Sequence, residues 1–178
     1  MKKPSCPIVL IGNYILDKQH SMLKYTAILQ RKLREKGHHV KIASPKVVFG
    51  RYNPTNKWLG YLDKLILFPR QLKKTIRNVE SPIGKRCIVH VCDHSNSTIL
   101  KSAKRQHKIV TCHDLIAVRS ALGDFSGQKP RLSGRLLQST IKKAIPLADH
   151  IACVSKATEN DLHTVIPATK GRTTIIHN

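Results

Sequence analysis

Pro7-Ile8-Val9-Leu10-Ile11-Gly12 decides the fold class. A short, unbroken apolar run closed by glycine is the pattern of a strand buried on both faces, and such strands belong to parallel sheets covered by helices. A polar loop follows, and Ser21 stands where a helix N-cap is expected. Beyond it Met22, Tyr25, Ile28, Leu29 and Leu33 recur at helical spacing. Basic residues crowd the last turns and Gly37 closes them, in accord with the macrodipole and the left-handed C-terminal cap. Residues 40–43 read as a second strand. Strand, helix and strand in so short a stretch form a βαβ unit, which implies a right-handed crossover.

The same alternation continues outward. Residues 45–60 read as loop. Residues 62–78 have helical spacing interrupted at Pro69, which predicts two shorter helices or a kink. That stretch carries Lys64, Arg70, Lys73, Lys74 and Arg77. Ile88-Val89-His90-Val91-Cys92 reads as a strand, 96–105 as a basic helix, and Ile109-Val110-Thr111-Cys112 as the next strand. A long polar loop over 113–133 includes Gly123, Gly127 and Pro130. Residues 136–147 read as a helix disturbed by Pro146. A strand at 151–154, a Ser155 cap, a helix over 156–165 and a strand at 173–176 complete the chain. With no internal repeat or linker, the expectation is one α/β domain over 1–178. Its core is a single Rossmann-like, doubly wound parallel sheet with helices on both faces.

The 178 residues suffice for one core, and with 4% aromatics Leu, Ile and Val must supply it. Lys and Arg total 32 against 10 Asp and Glu, a formal charge of +22. Charge this one-sided speaks to partners: it attracts phosphate, in nucleic acid, an anionic leaflet or a lipid-linked sugar phosphate. An acidic partner or a further segment offsetting the charge is the bland alternative. No aromatic stacking surface, zinc-knuckle spacing or recognition-helix pattern accompanies it, so nucleic acid is disfavoured, and a non-catalytic basic α/β module binding phosphate-rich ligands or nucleic acid stands as the alternative reading. The five cysteines are odd in number and form no C-x-x-C, which favours reduced thiols and a cytoplasmic setting. The apolar run after Met1-Lys2-Lys3 is too short for a signal segment, and no run approaches the roughly 18 apolar residues of a spanning helix. Any membrane contact is then expected to be peripheral, at the inner face.

In open parallel sheets ligands bind outside the carboxyl ends of the strands. The first strand exits into Gly12-Asn13-Tyr14 and then Asp17-Lys18-Gln19-His20-Ser21. The others exit into Asp93-His94-Ser95-Asn96, His113-Asp114 and Ser155-Lys156. Four strands thus deliver polar groups to one rim, against the alternative that each is a solvated loop residue. Cys92-Asp93-His94 and Cys112-His113-Asp114 contain zinc-ligand types. Neighbours on an extended chain point opposite ways, so no metal is expected. Ser155 lacks a G-x-S-x-G and precedes Lys156-Ala157-Thr158-Glu159, so capping outweighs a nucleophilic role. The exposed N-terminus of that helix remains a candidate phosphate site, with Ser155 and Lys156. Gly12 stands alone, without a dinucleotide fingerprint or P-loop.

Taken in order, these motifs resemble the N-terminal domain of a GT-B glycosyltransferase of retaining family 4. The matching pieces are the segment from Asn13-Tyr14 to Met22, the helix end Glu35-Lys36-Gly37-His38, and His90-Val91-Cys92-Asp93-His94-Ser95-Asn96. Thr111-Cys112-His113-Asp114-Leu115, the stretch from Val154 to Leu162, and Ile175-Ile176-His177-Asn178 complete the series. The resemblance implies a hexosyl transferase in which this domain holds a sugar or lipid-linked acceptor, while a second domain holds a UDP- or GDP-sugar. It implies no cofactor bound by this domain. Family members often carry two glutamates eight positions apart in the donor domain. The glutamates here are Glu35, Glu80 and Glu159, so that domain is expected as a missing C-terminal segment or a separate subunit. By the same resemblance His113 is the cleft histidine near the reacting centre, acting as a hydrogen-bonding and electrostatic group. Asp114 either orients it or caps the following turn. Asp17, Gln19, His20 and Ser21 are implied to contact acceptor hydroxyls, with Asp93, His94 and Asn96 behind them. Lys18 either pairs with a phosphate or is solvated. Family members acting on membrane-borne acceptors often dock through a basic face, which the 64–77 stretch and Lys101, Lys104 and Arg105 would supply here.

Overall fold

The structure, a computed structural model, describes residues 6–53, 57–124 and 131–177. Strands β1 (Ile8–Ile11), β2 (Val40–Ala43), β3 (Ile88–Val91), β4 (His107–Cys112), β5 (His150–Cys153) and β6 (Thr173–Ile175) form one sheet. Its order is β2-β1-β3-β4-β5-β6 and every pair is parallel. Helices α1 (His20–Glu35), α2 (Lys57–Leu62), α3 (Phe68–Glu80), α4 (Ile116–Leu122), α5 (Leu132–Ala144) and α6 (Lys156–Val165) make the connections, with short 3-10 segments between them. The expected α/β, doubly wound arrangement is the one observed.

The period-two alternation of strand side chains divides the core in two. Val9, Ile11, Val89, Val91, Val110, Cys112, Ile151 and Cys153 face α3, α5 and α6, meeting Leu72, Ile76, Ile141 and Leu162. On the other face Ile8, Leu10 and Val40 meet Tyr25, Leu29 and Leu33 of α1. All four residues of β1 are buried, which is why the opening apolar run is unbroken. Every cysteine is a free thiol, and Cys87, Cys92, Cys112 and Cys153 are buried. No helix among the described residues is long and apolar enough to cross a membrane.

Several boundaries differ from expectation, each for a local reason. Helix α1 begins one residue before Ser21, with Gln19 at the cap position and no side-chain cap bond, so Ser21 is an exposed first-turn residue. Helix α2 begins at Lys57, inside the expected loop. Pro69 lies just inside α3, and because the helix runs unbroken from Lys57, its missing N–H is accommodated by a π-helical segment directly before it, Asp63–Leu67. The expected basic helix over 96–105 is a 3-10 segment, His94–Ser102. There Asp93 accepts from the Ser95 N–H at 2.9 Å and Ser97 donates to the His94 carbonyl, so short polar side chains compete for the backbone. The expected loop over 113–133 contains α4 and the start of α5, which begins four residues ahead of the expected Leu136. Gly127, Pro130 and Asn178 lie outside the described residues.

One buried carboxylate ties the exit of β1 to the π segment and the segment after β2. Asp63 is fully buried. It accepts the Tyr14 hydroxyl at 2.6 Å and the N–H groups of Val48, Phe49 and Gly50 at 3.1, 2.9 and 3.1 Å. Burial alone would raise its pKa, but these four donors outweigh burial and hold it below the ordinary 3.8. A Cβ on Gly50 would stand 2.2 Å from the Tyr14 hydroxyl, so the segment closes this tightly only with glycine there. Asp63→Ala leaves buried donors unpaired, at about 1–3 kcal/mol each, and should cost more than about 3 kcal/mol in urea unfolding. Because the folded pKa is depressed, the carboxylate's contribution is complete above 3.8 and is lost as pH falls toward the lower folded value. Asp63→Asn should therefore flatten the acid limb of a stability–pH profile below pH 4; an unchanged limb would assign acid sensitivity elsewhere.

Candidate functional site

Strand order reverses between β1 and β3, because the chain leaves β1 toward β2 and then returns on its other side. A doubly wound sheet opens its crevice at this switch point, at the carboxyl ends of the two strands. Asn13, directly after β1, is buried there and acts as a hub. Its Nδ2 donates to Asp93 Oδ2 at 2.7 Å and to Gln19 Oε1, and its Oδ1 accepts from Asn96 Nδ2 at 3.1 Å. Asp93 also accepts from the Ser95 hydroxyl at 2.7 Å. Burial pushes the Asp93 carboxyl up, but His94, the Ser95 N–H and the Asn13 and Ser95 side chains together hold it below its ordinary value. Burial lowers the pKa of His94, against the pull of Asp93 and Asp114, and its Nδ1 lies 3.5 Å from Asp93 Oδ1.

Above this network lies a cavity of about 590 Å³ between the strand ends, α2, the π segment and α5. Asp17, Lys18, Gln19 and Asn96 line it, together with Tyr61 and Lys64. Asp17 ends a 3-10 turn, Ile15–Asp17, and Lys18 follows in the left-handed region at φ 54°. Lys64 lies 2.9 Å from Asp17 Oδ2, with its ammonium 5.0 Å from the centre of the Tyr61 ring and 5.7 Å from that of Tyr14. The cavity thus offers amides, a paired carboxylate and ammonium, and an aromatic edge, a set suited to polyhydroxylated ligands more than to a bare anion.

The remaining sequence candidates separate. His20 and Ser21 are exposed at the start of α1 and do not line the cavity. Asp93 and His94 lie beneath it rather than in its wall. His113 follows β4, where its Nε2 is 2.9 Å from the Cys92 carbonyl and its ring meets Tyr25 edge to face at 4.9 Å between centroids. Asp114 accepts from the Ile116 N–H at 3.1 Å, so it starts α4, the second of its two expected roles. Ser155 caps α6 by accepting from the Thr158 N–H at 3.1 Å. Lys156 is held by Glu159 at 2.6 Å, and Glu159 also accepts the Thr173 hydroxyl. Among the described residues no group of three or more His, Cys, Asp and Glu is placed to hold a metal ion.

Sequence reasoning missed the central part played by Asn13, although a polar residue directly after an all-apolar strand and glycine is a visible signal. It also placed Lys64 on a basic outer face, whereas Lys64 turns inward to Asp17. Tyr61 and Gln138 in the cavity wall had no signal of their own, since each is one position among many on an amphipathic helix.

Comparison with protein families now bears on this geometry. A family model described as Glycosyltransferase Family 4 matches residues 23–178. The chain belongs to glycosyltransferase family 4. A search of curated proteins finds no match. The matched segment includes Asp93, His113 and Ser155, the ends of three strands, whereas Asp17, Lys18 and Gln19 precede it. In this family-4 domain the network under the cavity predicts a definite cost. Asn13→Ala releases Gln19 and Asn96 and strips a donor from Asp93, so it should destabilise the fold by about 2 kcal/mol in denaturant unfolding. A neutral Asn13→Ala would show that the network is not holding the rim.

Proposed function

We propose that the chain is the acceptor-binding half of a nucleotide-sugar-dependent glycosyltransferase. The observation that carries this reading is the cavity at the switch point, lined by Asp17, Gln19, Asn96 and Gln138 and flanked by Tyr61. Amide and carboxylate side chains match sugar hydroxyls, which both donate and accept, and an aromatic ring matches the apolar face of a pyranose. A UDP- or GDP-sugar would be held by a facing donor domain, on the same polypeptide or another. His113 would then stand between the two walls as a hydrogen-bonding group near the transferred sugar. Lys18, exposed beside the cavity, and the capped N-terminus of α6 with Ser155 are the places for a phosphate. Lys156, already paired, contributes less.

The acceptor is proposed to be membrane-borne. Trp58, Leu65 and Ile66 are exposed on α2 and the π segment, and Leu65 also lines the cavity. Arg70, Lys73, Lys74 and Arg77 continue from them along the exposed side of α3. Apolar side chains followed by cations suit the interface of an anionic leaflet, where each cation contributes about 1 kcal/mol.

Three experiments test the parts separately. Calorimetric titration of the chain alone with UDP- and GDP-sugars should show no tight binding; tight binding would overturn the division between acceptor and donor halves. With a donor domain supplied, transfer should fall about 100-fold in His113→Ala, the scale of losing one well-placed polar group. Unchanged turnover would remove His113 from the mechanism. For the surface, Trp58 is the chain's single tryptophan and therefore a built-in reporter. Its emission should shift to the blue with phosphatidylglycerol vesicles but not with phosphatidylcholine. The shift should disappear in Lys73→Glu/Lys74→Glu; a shift that persists there would sever docking from the cations of α3.

A further inference from the structure

The imidazole of His113 is held from two sides, and the hold determines what it can offer a ligand. Its Nε2 lies 2.9 Å from the Cys92 carbonyl. A carbonyl oxygen only accepts, so Nε2 must carry the hydrogen and the neutral ring is the Nε2–H tautomer. Nδ1 has no hydrogen-bond partner among the described residues and is left as a lone-pair acceptor. The main chain of His113 is fixed as well, because Thr158 of α6 donates its hydroxyl to the His113 carbonyl at 3.1 Å.

The second side is Tyr25, midway along α1, whose ring meets the imidazole at 90°. The Tyr25 hydroxyl lies 3.3 Å from Thr111 Oγ1, and that oxygen lies 2.8 Å from His90 Nε2. Thr111 is buried. His90 is kept neutral by burial, which lowers its pKa to about 4, and burial raises the Tyr25 phenol. All three members therefore stay uncharged near neutral pH. Donation can run from Tyr25 through Thr111 to His90 or in reverse, and either direction satisfies the threonine oxygen. Neither Tyr25, Thr111 nor His90 lines the cavity, so the reading of the site above gives them no task.

We propose that Tyr25 is a positioning residue, anchored through Thr111 to His90, that holds His113 with Nε2–H on the Cys92 carbonyl and Nδ1 open as an acceptor. The contact His113 makes in its neutral form is then with a group that donates a hydrogen, such as a sugar hydroxyl. A phosphate or carbonyl oxygen, which only accepts, finds no partner at Nδ1. This deepens the glycosyltransferase reading, because it rests on it for the identity of the ligand. The geometry of the ring itself is independent of it.

Long-range proton–nitrogen correlation spectra of the chain labelled with ¹⁵N-histidine, recorded above pH 8, distinguish the two tautomers directly. The His113 signals are assigned by their loss in His113→Gln. The expected result is a dominant Nε2–H form in the unmodified chain; Tyr25→Phe, which keeps the ring but removes the hydroxyl bound to Thr111, should shift the His113 signals as loss of the anchor does. Tyr25→Leu should displace the His113 ring-proton signals and mix the tautomers. A dominant Nδ1–H form in the unmodified chain, or His113 signals unmoved in Tyr25→Leu, would overturn the proposal. Should Tyr25→Leu fail to fold, Thr111→Val cuts the anchor at nearly constant volume. It should shift the same signals in the same direction, and unmoved signals there would also refute the anchor. These spectra need neither donor nor acceptor, so failure of sugar transfer leaves this result standing, and the reverse holds as well.

Discussion

Two neighbouring parallel strands, β1 and β3, run in register and then send their connections to opposite ends of the sheet. At the point where they part, the Asp93 carboxylate is buried beneath a crevice, and a buried polar side chain left without partners there costs about 1–3 kcal/mol. Asn13 resolves this with one side chain. An amide has two donors and an acceptor with two lone pairs, and Asn13 uses both kinds, toward Asp93, Gln19 and Asn96. Aspartate in its place would face Asp93 with like charge, and leucine would leave the carboxylate short of a donor. The rim residues above it are therefore set by this buried amide, and only secondarily by their own loops.

A second polar anchor shapes the opposite wall of the cavity. Asp63 gathers three N–H groups and a phenol, so that Tyr14 from the first strand exit, the segment after β2 and the π segment meet at one carboxylate. The π segment and this anchor belong together. A π turn adds a residue relative to the α-helical register and so turns side chains to a new face. Asp63 points inward to the buried segment, Lys64 reaches Asp17, and Leu65 and Ile66 stay outside. One departure from regular helix thus separates the structural carboxylate, the cavity ammonium and the apolar outer surface within four consecutive residues.

The sheet was legible because its signal is dense. The central strands β1, β3, β4 and β5 each contain a short, mainly apolar run with a polar exit, and neither feature depends on distant contacts. The caps of α6 and the end of α1 at Gly37 were legible for the same local reason. What escaped depended on long-range pairing. Whether Asp63 is a surface charge or a buried anchor turns on donors at 48–50 that helical spacing cannot reveal. Ser21 has the right chemistry for a cap, but the backbone enters α1 one residue earlier, and propensity does not choose between adjacent starts. The 96–105 stretch reads as a helix by composition, yet side chains at its entry, Asp93 and Ser97, bind the backbone, and the segment tightens to 3-10. Among the residues lining the cavity, Asp17, Lys18, Gln19 and Asn96 stand at strand exits that the sequence marks as polar, whereas Tyr61, Lys64 and Gln138 come from helices that give no such mark.

The large positive charge divides in a way that composition alone conceals. Lys64 is neutralised by Asp17 and half-buried among tyrosine rings, Lys156 by Glu159, and Arg119 by Asp124 and Asp161 at 3.0 and 2.9 Å. Of the cations lining the cavity, Lys64 is paired with Asp17, and Lys18 stays exposed at the rim, where the proposed function gives it a phosphate. Arg70, Lys73, Lys74 and Arg77 have the opposite disposition: they are exposed along α3, whose buried side is Phe68, Leu72, Ile76 and Val79. That helix has no acidic residue before Glu80 to offset them. Selectivity inside and attraction outside are then carried by different lysines and arginines of the same helical stretch. In the proposed function the excess charge serves docking at the acceptor's surface, while recognition is assigned to amides, tyrosines and the histidine held by Tyr25.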